Sequence, residues 1–220
     1  MSVKISIPTS LNDLTLGQYQ NYLRVENPTN EDMLECFLGL NKDSLYAIAD
    51  KDFDMLIAHL NDIFDADHNT FLTKFELDGV KYGAIPNFDD ITYGENKDIT
   101  YFINDWEQMH NAMTVIYRPI EQEVLGKYRI EEYTNLDRAE QMKQMPLGIA
   151  FSCLVFFCNL TKELLKCIPN YLAEEMEKEM GLVAQANSQV NGIVIKNLLR
   201  SLTETSLDLQ RLVDYPYINA

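Results

Sequence analysis

The chain has 220 residues, 46% of them hydrophobic, with 34 acidic against 18 basic side chains and a formal net charge of −16. That charge argues against a protein that binds the outside of nucleic acid, because phosphate contacts need clustered lysine and arginine. A negative surface could suit a passage through which DNA moves without sticking, but we favour the simpler interpretation, a solvated surface that keeps the protein soluble.

The cysteines and the apolar runs predict a folded chain in a reducing compartment that does not span a membrane. None of the four cysteines forms a CxxC pair, and most lie in apolar helical segments. The N-terminus has no apolar core followed by a small-residue cleavage site, so no secretory signal is predicted. The longest apolar run, residues 147–160, is shorter than the roughly 20 residues that cross a bilayer, and predicts a buried helix.

The N-terminal third reads as an arm followed by three helices. Residues 3–7 alternate as VKISI and predict a short strand or an extended arm that ends at Pro8. Thr15 and Gln18 have the spacing of a capping box at a helix start. Asn30 is suited to cap a second helix, and the apolar periodicity of residues 51–64 predicts a third.

Residues 65–76 resemble a calcium-binding loop in part. Oxygen-bearing side chains occupy most of the ligand positions, namely Asp65, Asp67, Asn69, Thr73 and Glu76. Thr70, however, stands where the loop needs glycine, and Asp78-Gly79 reads as a hairpin turn where the exit helix should begin. We therefore predict an Asp/Asn-rich turn into a β-hairpin of residues 71–86, and keep a calcium-binding regulatory module as a less favoured alternative.

The middle of the chain predicts two further helices. A second capping box stands at Thr92 and Glu95, and apolar residues recur at helical spacing through residues 106–117. Pro119 should stop that helix. His110 lies on the apolar stripe and is expected to be a core histidine bonded to a backbone carbonyl, while Arg118 could pair with a nearby acidic residue.

The remaining residues complete a mainly helical prediction. Residues 120–135 are polar and predict an irregular crossover, and Pro146 opens a long apolar helix that should be central and buried. The fold class is mainly α with a minor α+β element: a helical domain with a β-hairpin inserted after the third helix. We expect a single domain of residues 1–220, with an arm and helices in 1–66, the hairpin in 71–86 and a helical core in 92–213.

The sequence motifs of common enzyme sites do not occur. There is no GxxxxGKS/T, GxGxxG, HExxH or GxSxG pattern. Adjacent carboxylates such as Asp89 and Asp90 would point apart on a helix instead of converging. We therefore predict that the protein is not an enzyme and has no catalytic residues, no cofactor and no metal ligands.

Three blocks of sequence carry a resemblance to a known family: residues 88–95 (FDDITYGE), 106–110 (WEQMH) and 115–119 (VIYRP). They resemble small structural proteins encoded among the virion genes of crAss-like and related tailed bacteriophages. The resemblance implies a neck or tail protein, made in the host cytoplasm, that forms a homo-oligomeric ring in the head-to-tail passage. It implies contacts with the portal and other neck or tail proteins, and DNA passing through the lumen without specific binding.

The elements expected to reach a neighbouring subunit are the N-terminal arm, the tip of the hairpin and the apolar C-terminal tail. The residues predicted at this interface are Val3, Ile5, Ile7, Asp78, Gly79, Tyr82, Tyr215 and Tyr217. The alternative from another functional class is a tail-assembly chaperone that is not part of the virion.

Overall fold

The computed structural model describes residues 6–66 and 70–159. By its contacts the chain divides into two compact units, one of residues 1–154 with 218–220 and the other of residues 155–217. Almost all of the described residues belong to the first unit. The single domain expected for residues 1–220 stays a prediction, and so do the helices and tail expected after residue 159, because they lie outside the described residues.

The described part is mainly helical with a small antiparallel sheet, as the sequence predicts. Its helices are α1 Leu16–Leu23, α2 Asn30–Leu38, α3 Lys42–Tyr46, α4 Asp50–Asp65, α5 Tyr93–Phe102, α6 Met109–Ile116, α7 Ala139–Met142 and α8, residues 147–159. Its strands are β1 Lys74–Leu77, β2 Val80–Ala84, β3 Tyr117–Val124 and β4 Lys127–Ile130. Short 3-10 turns occupy Leu11–Asp13, Phe88–Asp90 and Trp106–Gln108.

Side-chain caps fix the starts of the helices. Both predicted capping boxes are present, from Thr15 to Gln18 at α1 and from Thr92 to Glu95 at α5. At α2 the cap is Thr29, not the predicted Asn30, because the Thr29 hydroxyl accepts from the backbone N–H of Asp32 at 3.3 Å. The Asp32 carboxylate in turn accepts from the Thr29 N–H at 2.9 Å.

The hairpin of β1 and β2 follows the fourth helix, whereas the sequence analysis placed it after the third. The additional helix is α3, whose N-terminus is capped by Asn41 through a bond from the Ser44 N–H at 2.9 Å. It buries Leu45. A five-residue helix is too short to show the apolar period by which the longer helices were predicted.

The core of the first unit joins the early helices to α8 through aromatic rings. Trp106 packs against Tyr19 of α1 and Phe151 of α8, with ring centroids 5.0 and 4.8 Å apart. The backbone just before α1 pairs with the backbone at the start of α8, since the Leu147 N–H donates to the Leu14 carbonyl at 2.8 Å. As predicted, α8 is buried over much of its described length, including Leu147, Ala150 and Cys153.

The sheet has the order β1-β2-β3-β4, with every neighbouring pair antiparallel. The first hairpin turns at Asp78 and Gly79, as predicted, and pairs Lys74 with Gly83 and Leu77 with Val80. β3 begins directly after α6 ends at Ile116, so the predicted helix stop before Pro119 is confirmed.

Residues 120–135 contain a second hairpin, and the irregular crossover predicted there is wrong for residues 120–130. β3 pairs with β2 through residues 117–119 and with β4 from Ile120 onward, with a register shift between Ile120 and Gln122. The turn between β3 and β4 is Leu125-Gly126. Residues 131–136 are irregular, as expected.

Within residues 6–66 and 70–159, no helix combines the length and the apolar character that a membrane crossing needs.

Candidate functional site

The two hairpins pack on each other through a contact that only glycine permits. The ring of Tyr128 on β4 lies over Gly83 on β2, where a methyl group in place of the glycine hydrogen would stand 2.5 Å from Tyr128 Cε2. The Tyr128 hydroxyl donates to the Ala84 carbonyl at 2.8 Å. Lys74 on β1 bonds Glu123 on β3 at 2.6 Å and lies over the Tyr128 ring. The second hairpin is therefore held at its base and along its length.

A buried ion pair fastens β3 to α5. Arg118 Nη2 donates to Glu95 Oε1 at 2.5 Å, and the two side chains are only 11% and 7% exposed. The other oxygen of Glu95 accepts from the backbone N–H and the hydroxyl of Thr92, each at 2.7 Å. The acidic partner that the sequence analysis expected for Arg118 is thus the capping residue of α5.

The same ion pair borders a polar cavity of about 140 Å³ between β3, α7 and the chain after β4. Arg118, Tyr133 and Arg138 line it, together with Glu131, Glu132 and Asp137. Arg138 bonds Glu131, and Tyr133 donates to Asp98. Among the described residues, Arg118 Nε is buried without a hydrogen-bond partner. Because negative side chains on its lining outnumber the two arginines, which are already paired, the cavity has no net attraction for an anion.

Glu95 and Tyr133 beside the cavity keep their ordinary charges at neutral pH. Burial by itself raises the pKa of the Glu95 carboxyl, but the hydrogen bonds from Thr92 and the charge of Arg118 outweigh it and hold that pKa below its usual value. Burial and the bond to Asp98 raise the pKa of Tyr133. The Glu95 carboxylate therefore stays ionised and the Tyr133 phenol stays protonated, so both groups can keep the hydrogen bonds that hold these elements together.

His110 is a core histidine with a backbone partner at Glu107, as predicted, and a side chain, Gln20, bonds it as well. Gln20 Nε2 lies 3.0 Å from His110 Nδ1 and donates to the Trp106 carbonyl at 2.7 Å. Burial lowers the pKa of the imidazole, so it is neutral at pH 7 and its Nδ1 accepts the amide proton. This network joins α1 to the turn that precedes α6.

His59 anchors the root of the N-terminal arm. Its Nε2 donates to the Pro8 carbonyl at 2.7 Å, and Pro8 is buried. Just beyond, the carboxylate of Asp13 accepts from the backbone N–H and the hydroxyl of Thr9, each at 2.7 Å. The chain that enters α1 is therefore fixed from residue 8 onward.

The predicted interface residues fall into three groups. Ile7, Asp78 and Gly79 are exposed, and Ile7 shows 51% of its surface. Tyr82 is wrong as an interface residue, because it is 1% exposed and stacks on Phe75 inside the unit at a centroid distance of 5.2 Å. The period-two pattern placed Tyr82 on a strand but could not tell which face is covered. Val3, Ile5, Tyr215 and Tyr217 lie outside the described residues.

The calcium-loop alternative is only partly described, because residues 67–69 lie outside the described residues. Glu76, which would be the last ligand of such a loop, is on β1 and pairs with Lys81. Among the residues that the structure describes, no three or more histidine, cysteine or carboxylate side chains are grouped as a metal site.

The second hairpin and its exposed tip are not predicted from the sequence. Val124 and Leu125 are 55% and 99% exposed. The signal was present but weak: alternating apolar residues run through Ile120 and Val124 and resume at Tyr128, with Gly126 between them. Leu-Gly is not among the dipeptides that mark a two-residue turn, so the pattern was assigned to a crossover.

Comparison with known proteins adds no relative. Neither protein-family models, nor curated proteins, nor solved structures gave a match to this chain.

Proposed function

We propose that this protein is a non-enzymatic structural component of a tailed-phage virion, a subunit of a homo-oligomeric ring in the head-to-tail passage. In this proposal its neighbours are further copies of itself, the portal and other neck or tail proteins. The acidic surface, with a formal net charge of −16, faces DNA that passes without specific binding.

The observation that carries the proposal is that each of the three blocks behind the resemblance places a residue in the buried framework of the first unit, although most of residues 88–95 are exposed. Glu95 from the first block bonds Arg118 from the third. Trp106 and His110 from the second block are both bonded by Gln20. If the residues behind the resemblance maintain a common fold, they should lie in buried positions of this kind. If they formed an active site, they should converge on an open cleft.

Projecting elements supply a second support. Ring subunits contact their neighbours through surfaces that close by rotation, and arms or hairpins are suited to reach across such contacts. Here the arm leaves a fixed root at Pro8, and Ile7 is exposed. The tips of both hairpins, Asp78-Gly79 and Leu125-Gly126, are exposed as well.

Quantitative mass spectrometry of purified virions tests the proposal. The phage that encodes this chain is grown, its particles are purified by density gradient, and the copy number is measured relative to the portal protein. A ring subunit should be present at a fixed ratio to the portal of about one or a small multiple. The portal and a non-virion protein of the same phage serve as positive and negative controls.

A protein that is abundant in infected cells and absent from the particles would overturn the proposal. That result would support the tail-assembly chaperone, which acts on its clients and then leaves them.

A further inference from the structure

The two hairpin turns of this protein have the same backbone geometry but very different residues. In the first turn Asp78 and Gly79 have φ values of 51° and 77°, and in the second Leu125 and Gly126 have φ values of 52° and 79°. Two consecutive positive φ values define the turn that fits the twist of a two-residue hairpin, and Asn-Gly and Asp-Gly are its preferred dipeptides. The first turn therefore uses a favoured residue at its first position, and the second does not.

Leucine is a poor choice for the position that Leu125 occupies. A positive φ brings the side chain of an ordinary residue too close to its own backbone, and asparagine and aspartate tolerate this better because they bond locally. A bulky apolar residue in such a conformation is an observed outlier, and outliers of this kind collect at functional positions. Here no intramolecular packing compensates for it, because Leu125 is 99% exposed.

The two tips also differ in their contacts with the rest of the chain. The tip of the first hairpin is tied back, since Gln141 of α7 donates to the Asp78 carboxylate at 3.3 Å. The second hairpin is held along its strands, by the contact of Tyr128 with Gly83 and by the bond of Lys74 to Glu123. Its apolar tip stands clear of the unit on a fixed support, as an anchor for a partner would.

The charges near the tip favour an acidic partner. Glu121 is paired with Arg129 at 2.9 Å, and Glu123 with Lys74 at 2.6 Å. Lys127, directly after the turn, is exposed and forms no ion pair with any residue that the structure describes. The tip thus presents two exposed apolar side chains and one unpaired positive charge on a chain whose formal net charge is −16.

We propose that the second hairpin tip, residues 124–127, is an anchor that inserts into an apolar site on a second copy of this chain, with Lys127 facing its acidic surface. A copy of this chain is acidic, so it complements the one cation that the tip leaves free. When the tip of one copy binds a different surface of the next copy, the contact is heterologous. Contacts of this kind form a ring if the rotation that relates neighbouring copies returns to the first copy. The inference rests on the proposed function, because it names the contact through which the ring subunits would associate.

Sedimentation velocity of the purified full chain over a wide concentration range tests the inference. The wild type should self-associate, and Leu125→Asn should weaken its association by about tenfold or more, as loss of a central apolar anchor does. Leu125→Met keeps an apolar side chain and should associate as the wild type does. Met55→Gln changes an exposed apolar residue of α4, which is not one of the predicted interface residues, and should have no effect on association.

Urea unfolding of the same variants, at a protein concentration at which the wild type is monomeric, separates an anchor from a residue that stabilises the fold, because association itself would raise the urea midpoint. Asparagine suits the turn, so Leu125→Asn should raise the urea midpoint while it weakens association, a combination that a purely structural role does not produce. Lys127→Glu is the second variant: it leaves the turn residues unchanged and should also weaken association.

A monomeric wild type at all concentrations would overturn the inference, and so would a Leu125→Asn variant that associates as the wild type does. A lowered urea midpoint for Leu125→Asn would also contradict it. These results are distinguishable from failure of the proposed function. If the protein is absent from virions but its self-association depends on the tip, only the virion role is overturned. If the protein is abundant in virions but its self-association does not depend on the tip, only the anchor is overturned.

Discussion

Glu95 bonds Arg118 at 2.5 Å through one carboxylate oxygen and closes the capping box of α5 through the other. One buried side chain therefore both starts a helix and fastens it to β3. The equivalent capping box of α1 uses Gln18, which has no charge, and it is complete without an arginine. A capping box at α5 would form equally well with glutamine at residue 95. We infer that the negative charge of Glu95 serves the ion pair with Arg118.

We predict that Glu95→Gln lowers the free energy of unfolding by about 3 kcal/mol, because it leaves the buried Arg118 without its counter-charge. The cap should survive, since glutamine fills the same role at residue 18. Equilibrium urea unfolding followed by circular dichroism measures the change. Asp32→Asn is the matched control: it removes the charge from the capping box of α2, whose carboxylate forms no salt bridge with any residue that the structure describes, and we expect an effect of less than about 1 kcal/mol.

A double-mutant cycle separates the ion pair from other effects of the change. Arg118→Met removes the charge and keeps an unbranched apolar stem. Glu95→Gln combined with Arg118→Met should be less destabilised than the sum of the two single variants, with a coupling of about 1 kcal/mol or more. Additive effects would mean that the two side chains do not depend on each other.

We predict that mild acid weakens the fold through His110. Burial lowers its pKa in the folded chain below the ordinary value of 6.5. Between that lowered pKa and 6.5, the unfolded chain binds a proton that the folded chain does not, so the free energy of unfolding falls as the pH falls through this window. A titration followed by NMR of the imidazole ring protons should give a midpoint below 6.5.

The contribution of His110 can be isolated with His110→Gln, whose side chain can still accept from Gln20. This variant should lose part of the pH dependence of stability just below pH 6.5. The lowered pKa of Glu95 acts in a different range: its stabilisation is present above the ordinary carboxyl pKa of 4.5 and is lost as the pH falls below it. An unchanged slope for His110→Gln just below pH 6.5 would contradict the prediction.

We predict that Gly83→Ala displaces the second hairpin. The added methyl group would stand 2.5 Å from Cε2 of Tyr128, a ring whose hydroxyl is bonded to Ala84. Overpacking of this kind costs about 1–3 kcal/mol. Gly94→Ala is the control, because its nearest neighbouring atoms would be 4.0 Å away and alanine favours the helix. Equal stability of the two variants in urea would show that Tyr128 moves freely.

We predict that calcium does not bind at residues 65–76. The last ligand of such a loop is a bidentate glutamate at the start of a helix, and Glu76 instead lies on β1 opposite Lys81. Isothermal calorimetry of metal-free protein should give no saturable heat up to about millimolar calcium, the weakest range of such loops. A saturable heat that Glu76→Gln abolishes would restore the calcium-binding alternative.

Patterns of local chemistry predicted much of the framework. The capping boxes at Thr15 and Thr92, the first hairpin turn at Asp78-Gly79 and the helix stop before Pro119 depend on residues within a few positions of one another, so the sequence contains all the information needed. The core position of His110 followed from its place on an apolar stripe.

What failed depends on contacts between distant residues. Nothing near Tyr82 in the sequence shows that Phe75 covers its ring, or that the strand face it occupies is the inner one. The second hairpin was missed because Leu125 breaks the rule by which its turn would have been recognised. Similarly, Gln20 became a partner of His110 from 90 residues away.

Imaging of the assembled particle tests the ring-subunit role most directly. A virion that carries a bulky fusion on this chain, examined by electron cryomicroscopy beside the untagged virion, shows where the protein lies. We predict a closed ring of extra density on the head-to-tail axis, next to the portal. Extra density on the capsid surface or elsewhere off that axis, or particles that lack the fusion altogether, would contradict a role as a ring subunit of the passage.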